Sequence, residues 1–295
     1  MGLNVLILGG RGQLGAALTS RLGSDAVPLG RDRFDIATGD PATLADYRPT
    51  HVVNCAAYNA VDAAETDAET AYRINQQASS ALARWCRDAG IPLVHFSTDY
   101  VFSAGGVRDG DDAIPAAGWT EDHHPRPSSV YASTKFMGET LAQESGATVL
   151  RTCGLYGRGD ENRNVTGGGG NFVETMLRLA ADRDEVRVVD DQRCTPTSCD
   201  DLADWVAALL TTGSTGLFHA TNAGHCTWAE FAAEIFRLSG LPTRVVPITT
   251  AEFGAAAARP ANSVLDCTKL DRTLGLKRHH WRDALAAYLG SRERN

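Results

Sequence analysis

The sequence has no long apolar run, and its cysteines and histidines form no metal-binding pattern. No apolar segment approaches the roughly 18 residues of a membrane span, and the first residues lack the basic and apolar regions of a signal peptide. The seven cysteines are odd in number and include no C-x-x-C pair. We therefore expect reduced thiols in a cytoplasmic protein, with no metal site and no membrane partner.

Basic side chains are fewer than acidic ones. The 295 residues include 28 Lys plus Arg and 36 Asp plus Glu, a formal net charge of −8, and no basic tract. Binding to the phosphates of a nucleic acid is therefore not expected. Hydrophobic residues at 43% and charged residues at 22% are ordinary usage, so the composition predicts a folded globular protein.

Short β-rich runs alternate with helical patterns in the first half of the chain. The predicted strands are residues 4–8, 26–29, 51–57, 92–98 and 148–152, and the predicted helices are 16–22, 44–48, 63–89 and 130–145. Strands separated by helices form βαβ units and a parallel sheet. The pattern therefore predicts an α/β fold, a doubly wound parallel sheet of the Rossmann type.

The second half of the chain is more mixed. It has a predicted strand at 186–189 and predicted helices at 172–181, 200–210, 227–239 and 281–289, with no linker between two halves. We predict a Rossmann domain of residues 1–154 plus roughly 184–220. A smaller, discontinuous C-terminal α/β substrate domain then comprises residues 155–183 plus roughly 221–295.

A glycine-rich turn follows the first predicted strand and opens a helix. Gly9, Gly12 and Gly15 form the pattern G-x-x-G-x-x-G. Glycine allows the backbone to turn tightly and to approach a pyrophosphate, and a helix N-terminus offers free N–H groups and a partial positive charge. In this position between strand and helix, the turn predicts a dinucleotide site.

The residues after the second strand bear on the choice of dinucleotide. Arg31 comes first, and a guanidinium there would bind the 2′-phosphate of NADPH. Asp32 follows, and a carboxylate there would bind the 2′-hydroxyl of NADH. The order favours NADPH and leaves NADH open.

A tyrosine and a lysine lie one helical turn apart at Tyr131 and Lys135. An ammonium group stabilises a phenolate, so Lys135 would lower the pKa of Tyr131 toward the range of acid–base catalysis. The strand before this helix ends in Ser97 and Thr98, at the edge where doubly wound sheets bind ligands. Neighbouring strand residues point to opposite faces, so only one hydroxyl can face the site, and Thr98 is the candidate.

Several further segments continue the pattern in chain order. They read GGRGQLG at 9–15, NCAAYNAVDAAE at 54–65, STDYVF at 97–102, YASTK at 131–135, NFVETMLRLA at 171–180 and RPANSVL at 259–265. On these segments the chain resembles the extended short-chain dehydrogenases/reductases, and among them the dTDP-4-dehydrorhamnose reductases. The resemblance runs nearly end to end.

The resemblance implies NADPH- or NADH-dependent reduction of the 4-keto group of a dTDP-4-keto-6-deoxyhexose, foremost dTDP-4-dehydro-L-rhamnose to dTDP-L-rhamnose. It makes Tyr131 the proton donor, Lys135 its partner and Thr98 the carbonyl contact. The cofactor-binding residues that it implies, together with Arg31, are Gly9, Gly12, Gln13, Leu14, Asp35, Ile36, Ala56, Ala57, Tyr58 and Lys135. The substrate-binding residues that it implies are Val61, Asp99, Tyr100, Asn171 and Arg259.

Two departures from the family pattern concern the sugar pocket. Gly154 stands where the family often has a tryptophan that packs on the sugar ring, so the pocket is either roomier or filled from elsewhere. The Gly-rich segment 157–170 is longer than usual, and either a lid or a disordered loop fits its composition.

Other functions on the same scaffold stay open. A reductase that gives a different deoxysugar epimer fits the same motifs, and a regulatory subunit like the β-subunit of methionine adenosyltransferase would bind the cofactor without the reaction. A dehydratase would need an additional acid–base pair where this chain has Thr98-Asp99-Tyr100. Some relatives form metal-bridged dimers; the sequence leaves a homodimer open here, and the basic tail gives no support for Mg²⁺.

Overall fold

A six-stranded parallel sheet organises the chain. The structure, a computed structural model, describes residues 2–102, 118–159 and 170–292. The strands are β1 Val5–Leu8, β2 Ala26–Leu29, β3 His51–Asn54, β4 Leu93–Thr98, β5 Thr148–Thr152, β6 Leu155–Tyr156, β7 Glu185–Val189, β8 Arg193–Cys194, β9 Thr197–Ser198, β10 Gly216–His219, β11 Cys226–Thr227 and β12 Arg244–Ile248. The large sheet has the order β10-β5-β4-β3-β1-β2, and every neighbouring pair is parallel.

Helices cover both faces of this sheet. They are α1 Gln13–Leu22, α2 Val61–Ala64, α3 Ala68–Tyr72, α4 Ser79–Asp88, α5 Val130–Glu144, α6 Phe172–Ala181, α7 Cys199–Thr212, α8 Trp228–Leu238, α9 Thr250–Phe253, α10 Thr268–Leu274 and α11 Trp281–Arg292. Leu18 of α1 and Val206 of α7 pack on one face, and Leu82 of α4 and Ala142 of α5 pack on the other. The predicted doubly wound α/β fold is confirmed.

The strand order reverses between β1 and β3, because β2 lies on one side of β1 and β3 on the other. In doubly wound sheets the carboxyl ends of strands at such a switch point form a ligand crevice. Gly9 follows β1 and Cys55 follows β3. The topology therefore places the glycine turn and the segment after β3 on opposite walls of one crevice.

A second hydrophobic core lies beside the large sheet. It joins α6, β7, α8 and α11 around Phe231 and Trp281, and β7 pairs with β12 rather than with the large sheet. Within the predicted segment 184–220, α7 and β10 pack with the large sheet, but Val186 and Val188 of β7 lie in this second core. We propose two domains as predicted, with the boundary in this segment placed after β7.

The predicted helix 63–89 is wrong as one continuous helix. It is divided into α2, α3, a π-helical turn Arg73–Ala78 and α4. At the first break the Glu65 side chain accepts a hydrogen bond from Val130 N. At the π turn the helix approaches α5, where a Cβ on Gly138 would lie 2.0 Å from Asn75 O. Tertiary contacts with α5 thus override the helical pattern.

A buried ion pair joins α5 to the sheet. Arg151 of β5 donates from Nε to Glu139 Oε2 at 2.9 Å, and both side chains are almost fully buried. Arg151 Nη1 lies 3.2 Å from His219 Nε2, and its guanidinium lies 5.0 Å from the centre of the Phe102 ring. Burial suppresses the protonation of His219, whose pKa falls to about 3, so its imidazole stays neutral beside the arginine.

We expect Glu139→Gln to lower the free energy of unfolding by about 3–5 kcal/mol, because it leaves the Arg151 charge buried without its counter-charge. Chemical denaturation measures this change. Glu185→Gln is the matched control, because Glu185 pairs with Arg244 on the exposed surface, where such pairs contribute less than about 1 kcal/mol. Equal losses in the two variants would contradict the role assigned to the buried pair.

Candidate active site

The glycine turn presents an uncapped helix N-terminus to the crevice. Gly9 has a φ of +75°, a conformation that favours glycine, and Gly12 N donates to Gly9 O at 2.8 Å. Helix α1 begins at Gln13, its N-cap Gly12 offers no side-chain hydrogen bond, and its first turn has no acidic residue. The first N–H groups of α1, including those of Gln13 and Leu14, are therefore suited to bind an anion such as a pyrophosphate.

The opposite wall of the crevice is the segment after β3. A Cβ on Gly9 would lie 2.9 Å from Ala56 N, so the two walls are in contact. The buried side chain of Asn75 holds this segment: Tyr58 N donates to Asn75 Oδ1 at 2.9 Å, and Asn75 Nδ2 donates to Tyr58 O at 3.1 Å. Asn75 thus fixes the backbone of the predicted cofactor residues Ala56, Ala57 and Tyr58, a role that the sequence pattern did not suggest.

An arginine from the glycine turn reaches the end of β2. Arg11 Nη2 lies 2.8 Å from Asp32 Oδ2. A Cβ on Gly30 would lie 2.5 Å from Asp32 Oδ1 and 3.0 Å from Arg11 Cδ, so both side chains converge over Gly30. The predicted residue Arg31 is exposed beside them. Arg11 is not among the residues predicted from the sequence.

Two further cofactor predictions fall in the loop after β2. Asp35 Oδ1 accepts a hydrogen bond from Ala37 N at 2.9 Å, which shapes the turn that follows. Ile36 is partly buried and packs against the core that contains Leu29 and Leu44. Their contact with an adenine ring stays a prediction.

Thr98, Tyr131 and Lys135 meet at the carboxyl end of β4. The Thr98 side chain is near enough to Tyr131 to lower the pKa of its phenol. Lys135 Nζ donates to Phe96 O at 2.6 Å, so the ammonium group is anchored to the same strand. Ser97, in contrast, has a buried hydroxyl with no hydrogen-bond partner among the described residues, as expected if Thr98 alone faces the site.

Burial dominates the protonation of Tyr131 and Lys135. It raises the pKa of Tyr131 to about 12, while the neighbouring Thr98 side chain acts in the opposite direction. It lowers the pKa of Lys135 to about 8, while the Glu139 charge one turn along α5 acts in the opposite direction. The lowering of the pKa of Tyr131 by Lys135 stays a prediction, and in the structure the ammonium group donates to Phe96 O.

The start of α5 is fixed from two sides. Ser129 is its N-cap and accepts a hydrogen bond from Ala132 N at 3.2 Å. Glu65 Oε1 accepts one from Val130 N at 2.9 Å, which ties α5 to the segment after α2. These two contacts flank Tyr131 and restrict its position.

Asp99 and Tyr100 line the site beside Thr98. Asp99 is 2% exposed, and burial raises its pKa to about 6, while the neighbouring side chains of Ser263, Cys153 and Thr98 oppose this shift. The Tyr100 ring lies 5.9 Å from the Tyr131 ring, edge to face. Burial also raises the pKa of Tyr100, so its hydroxyl stays neutral.

Arg259 links the C-terminal segment to the loop after β3. Its Nη2 lies 2.7 Å from Asp62 Oδ2, and Asp62 Oδ1 also accepts a hydrogen bond from Ala257 N. Arg259 and Tyr100 also affect each other's pKa, so the two side chains are near one another. The structure thus brings the predicted substrate residues Asp99, Tyr100 and Arg259 together. Val61 precedes Asp62 in α2, and its contact with a substrate stays a prediction.

Asn171 has a different set of contacts. Its Oδ1 caps α6 by accepting from Glu174 N at 3.0 Å, and its Nδ2 donates to Gln13 Oε1 at 3.1 Å and to Gly157 O at 3.0 Å. The side chain therefore joins the N-terminus of α6 to the glycine turn. A direct contact of Asn171 with a substrate stays a prediction, and these hydrogen bonds favour a linking role.

Trp228 fills the space beside Gly154. A Cβ on Gly154 would lie 3.2 Å from Trp228 Cη2, and Gly154 has a φ of +53°, which disfavours a large side chain there. The Phe172 ring packs 4.8 Å from the Trp228 ring. Of the two expectations for this departure, the structure supports a pocket filled from elsewhere. The other departure, segment 157–170, lies largely outside the described residues, because 160–169 are not among them.

The described residues contain neither a metal-binding cluster nor a membrane span. In the ranges 2–102, 118–159 and 170–292, no three His, Cys, Asp or Glu side chains form a cluster that could hold a metal ion. No helix in this part of the chain is long and apolar enough to cross a membrane. All seven cysteines are free thiols.

Known proteins match this chain along nearly its whole length. Residues 3–293 match the family model described as the RmlD substrate binding domain. A dTDP-4-dehydrorhamnose reductase of Streptomyces griseus is 41% identical over 295 residues, covering 95% of this chain and 91% of the relative. A probable dTDP-4,6-dihydroxy-2-methyloxan-3-one 4-ketoreductase of Streptomyces antibioticus is 43% identical over 290 residues, covering 95% and 92%.

A solved structure has the same fold. The dTDP-4-dehydrorhamnose reductase of Bacillus anthracis, in complex with NADP, superposes with a TM-score of 0.89 at 34% identity, covering 99% of this chain and all of that chain.

We expect Asn75→Ala to lower the free energy of unfolding by about 1–3 kcal/mol, because it leaves the partly buried N–H and C=O of Tyr58 without their Asn75 partner. It should also weaken dinucleotide binding, since the segment after β3 is no longer held. Chemical denaturation and fluorescence titration with NADPH measure the two effects. Gln77→Ala, on the exposed side of the same turn, is the control. Unchanged NADPH affinity in Asn75→Ala would show that the clamp does not serve the cofactor site.

Proposed function

The chain belongs to the dTDP-4-dehydrorhamnose reductase family, and from this premise we propose that it reduces the 4-keto group of a dTDP-4-keto-6-deoxyhexose with NADPH. Its relatives are reductases, one of them solved in complex with NADP, and they identify the chain as an NAD(P)H-dependent oxidoreductase. The observation that carries the proposal is the convergence of Thr98, Tyr131 and buried Lys135, whose Nζ is anchored on Phe96 O, at the sheet edge that also holds the glycine turn. The preferred substrate is dTDP-4-dehydro-L-rhamnose and the product dTDP-L-rhamnose.

The residues of the crevice fit a dinucleotide. The uncapped N-terminus of α1 would hold the pyrophosphate, and Ala56, Ala57 and Tyr58 would border the ribose and nicotinamide. When bound, NADPH supplies the hydride that reduces the ketone carbon. Lys135, anchored on Phe96 O, is placed to hold the ribose hydroxyls, and a pKa of about 8 keeps it mostly protonated at neutral pH.

Tyr131 acts as the proton donor. A tyrosine whose pKa is raised to about 12 stays protonated at neutral pH, which a donor requires. The alkoxide that develops on the sugar is a stronger base than a phenolate, so the phenol proton passes to it. Thr98 donates a hydrogen bond to the same oxygen and stabilises its developing charge.

The sugar nucleotide would lie against the surface formed by Val61, Tyr100 and Arg259, with Asp99 beneath it. The Arg259 guanidinium is suited to the diphosphate, because a guanidinium binds phosphate oxygens in pairs. Binding energy from this remote part of the substrate would be used to orient the ketone at Tyr131. Asn171 contributes by fixing the start of α6.

A reductase that gives a different deoxysugar is the second candidate. The observation in its favour is Gly154 with Trp228 beside it, which changes the wall of the sugar pocket, and one relative has the name of a different 4-ketoreductase. Identification of the product by NMR separates the two candidates. A purely regulatory role is not favoured, because Thr98, Tyr131 and Lys135 are all in place.

We also propose a cytoplasmic location, as predicted from the sequence, and a homodimer, which the sequence leaves open. Light scattering and cell fractionation test these two proposals.

We expect Tyr131→Phe to lower kcat by about 10²–10⁴, the range for loss of a general acid, with little change in NADPH affinity. Absorbance of NADPH in the presence of dTDP-4-dehydro-L-rhamnose measures turnover. Tyr47→Phe, in a tyrosine remote from Thr98, should leave kcat unchanged. If Tyr131→Phe retains nearly full activity, the assigned proton donor is wrong.

Arg11 is expected to recognise the 2′-phosphate of NADPH together with Arg31. Replacement by methionine removes a charge-assisted hydrogen bond, so the Kd of NADPH should rise by roughly 10- to 100-fold while the Kd of NADH stays nearly constant. Fluorescence titration with each dinucleotide measures both constants. The control is Arg21→Met, which breaks a comparable exposed ion pair at the far end of α1. An equal effect on both dinucleotides would contradict the assignment.

A further inference from the structure

Thr98 has one hydroxyl proton and more than one acceptor for it. Its Oγ1 lies 3.2 Å from Asp99 Oδ1 and accepts a hydrogen bond from Tyr100 N, also at 3.2 Å. The same hydroxyl contacts Tyr131 and, in the proposed function, the ketone oxygen of the substrate. A hydroxyl donates one hydrogen bond and accepts two, so Thr98 cannot donate to Asp99 and to the ketone at once.

Asp99 is a buried carboxyl group whose second oxygen, Oδ2, has no hydrogen-bond partner among the described residues. The groups that face it come from every element around it. They are Thr98 at the end of β4, Tyr100 on its own turn, Tyr131 of α5, Cys153 after β5 with Cys194 of β8 behind it, and Ser263 of the C-terminal segment, with Arg259 beyond Tyr100. A low-dielectric site of this kind penalises the ionised form, and the pKa of Asp99 is raised to about 6.

We propose that Asp99 is a positioning residue whose protonation decides where Thr98 donates its proton. This inference rests on the proposed function, in which Thr98 acts on the substrate ketone. When Asp99 is ionised, it accepts the Thr98 proton and leaves the ketone without that donor. When Asp99 is protonated, its own O–H donates to Thr98 Oγ1, and the Thr98 hydroxyl donates to the ketone oxygen.

Every lone pair and proton of Thr98 is then used. Its oxygen accepts from Tyr100 N and from the Asp99 carboxyl, and its proton stabilises the negative charge that develops on the ketone. Ionised Asp99 would in addition place a negative charge near that developing charge. The chemical step should therefore be fastest while Asp99 is protonated and should slow as the pH rises through about 6.

The test is the pH profile of the single-turnover rate of NADPH oxidation with dTDP-4-dehydro-L-rhamnose, from about pH 5 to pH 9. We expect the wild-type rate to fall by about 10²-fold on a limb centred near pH 6, the size expected for loss of one oxyanion donor. Asp99→Asn should lack this limb. Asp191→Asn, in an exposed carboxylate that pairs with Thr250, should keep it.

Two further variants separate positioning from a structural role. Ser263→Ala removes a polar neighbour that lowers the pKa of Asp99, so the limb should move to higher pH, which keeps the proposal testable if Asp99→Asn does not fold. In a Thr98→Val background, which has no hydroxyl to orient, the change that Asp99→Asn makes to the profile should shrink to the part caused by the Asp99 charge alone.

Thermal unfolding gives a readout that needs no turnover. A carboxyl whose pKa is higher in the folded than in the unfolded protein destabilises the folded state once it ionises. For Asp99 this loss of stability builds up as the pH rises from the pKa in the unfolded chain through the folded pKa of about 6. The Tm of Asp99→Asn relative to the wild type should therefore increase between about pH 4 and pH 7. If this shift occurs but the rate profiles of wild type and Asp99→Asn coincide, Asp99 titrates without orienting Thr98 and the inference is overturned. Turnover by the wild type in the same assay tests the proposed function separately; its absence would overturn both.

Discussion

The packing of α5 against the sheet determines the geometry of the whole site. Lys135 donates to Phe96 O of β4, and one turn further along the helix Glu139 pairs with Arg151 of β5. At the start of the helix, Glu65 accepts from Val130 N. Because these contacts lie at the start and in the middle of α5, Tyr131 has little freedom to move away from Thr98. The burial that makes the contacts strong also shifts the pKa values of Lys135 and Tyr131.

The parts of the site that depend on spacing along the chain could be predicted from the sequence. The glycine turn follows a buried strand, and a tyrosine and a lysine at i and i+4 must share a helix face, so both motifs were located without the structure. Arg11, Asn75 and Trp228 could not be found in this way. Each acts through a partner distant in sequence, at Asp32, Tyr58 and Gly154 respectively, and no local pattern encodes these contacts.

Contacts between residues distant in sequence also decided which parts of the secondary structure could not be predicted. The strands of the large sheet up to β5 were predicted because they are aliphatic runs bounded by turns. Strand β10 was missed, because Gly216–His219 is short and becomes a strand only by pairing with β5. The predicted helix 63–89 is interrupted where α5 approaches it. Tertiary contacts decided these elements, whereas local propensity decided the others.

The hydrogen bond from Asn171 to Gln13 joins the two ligand-binding halves of the molecule. Gln13 is the first residue of α1, whose N-terminus would face the cofactor phosphates, and Asn171 is the N-cap of α6. A ligand that immobilises one of these residues restrains the other. Any coupling of the two binding equilibria through this hydrogen bond would be reciprocal, because thermodynamics requires that each ligand alter the affinity for its counterpart by the same factor. The enzyme would thus bind its two reactants cooperatively through a single pair of amide side chains.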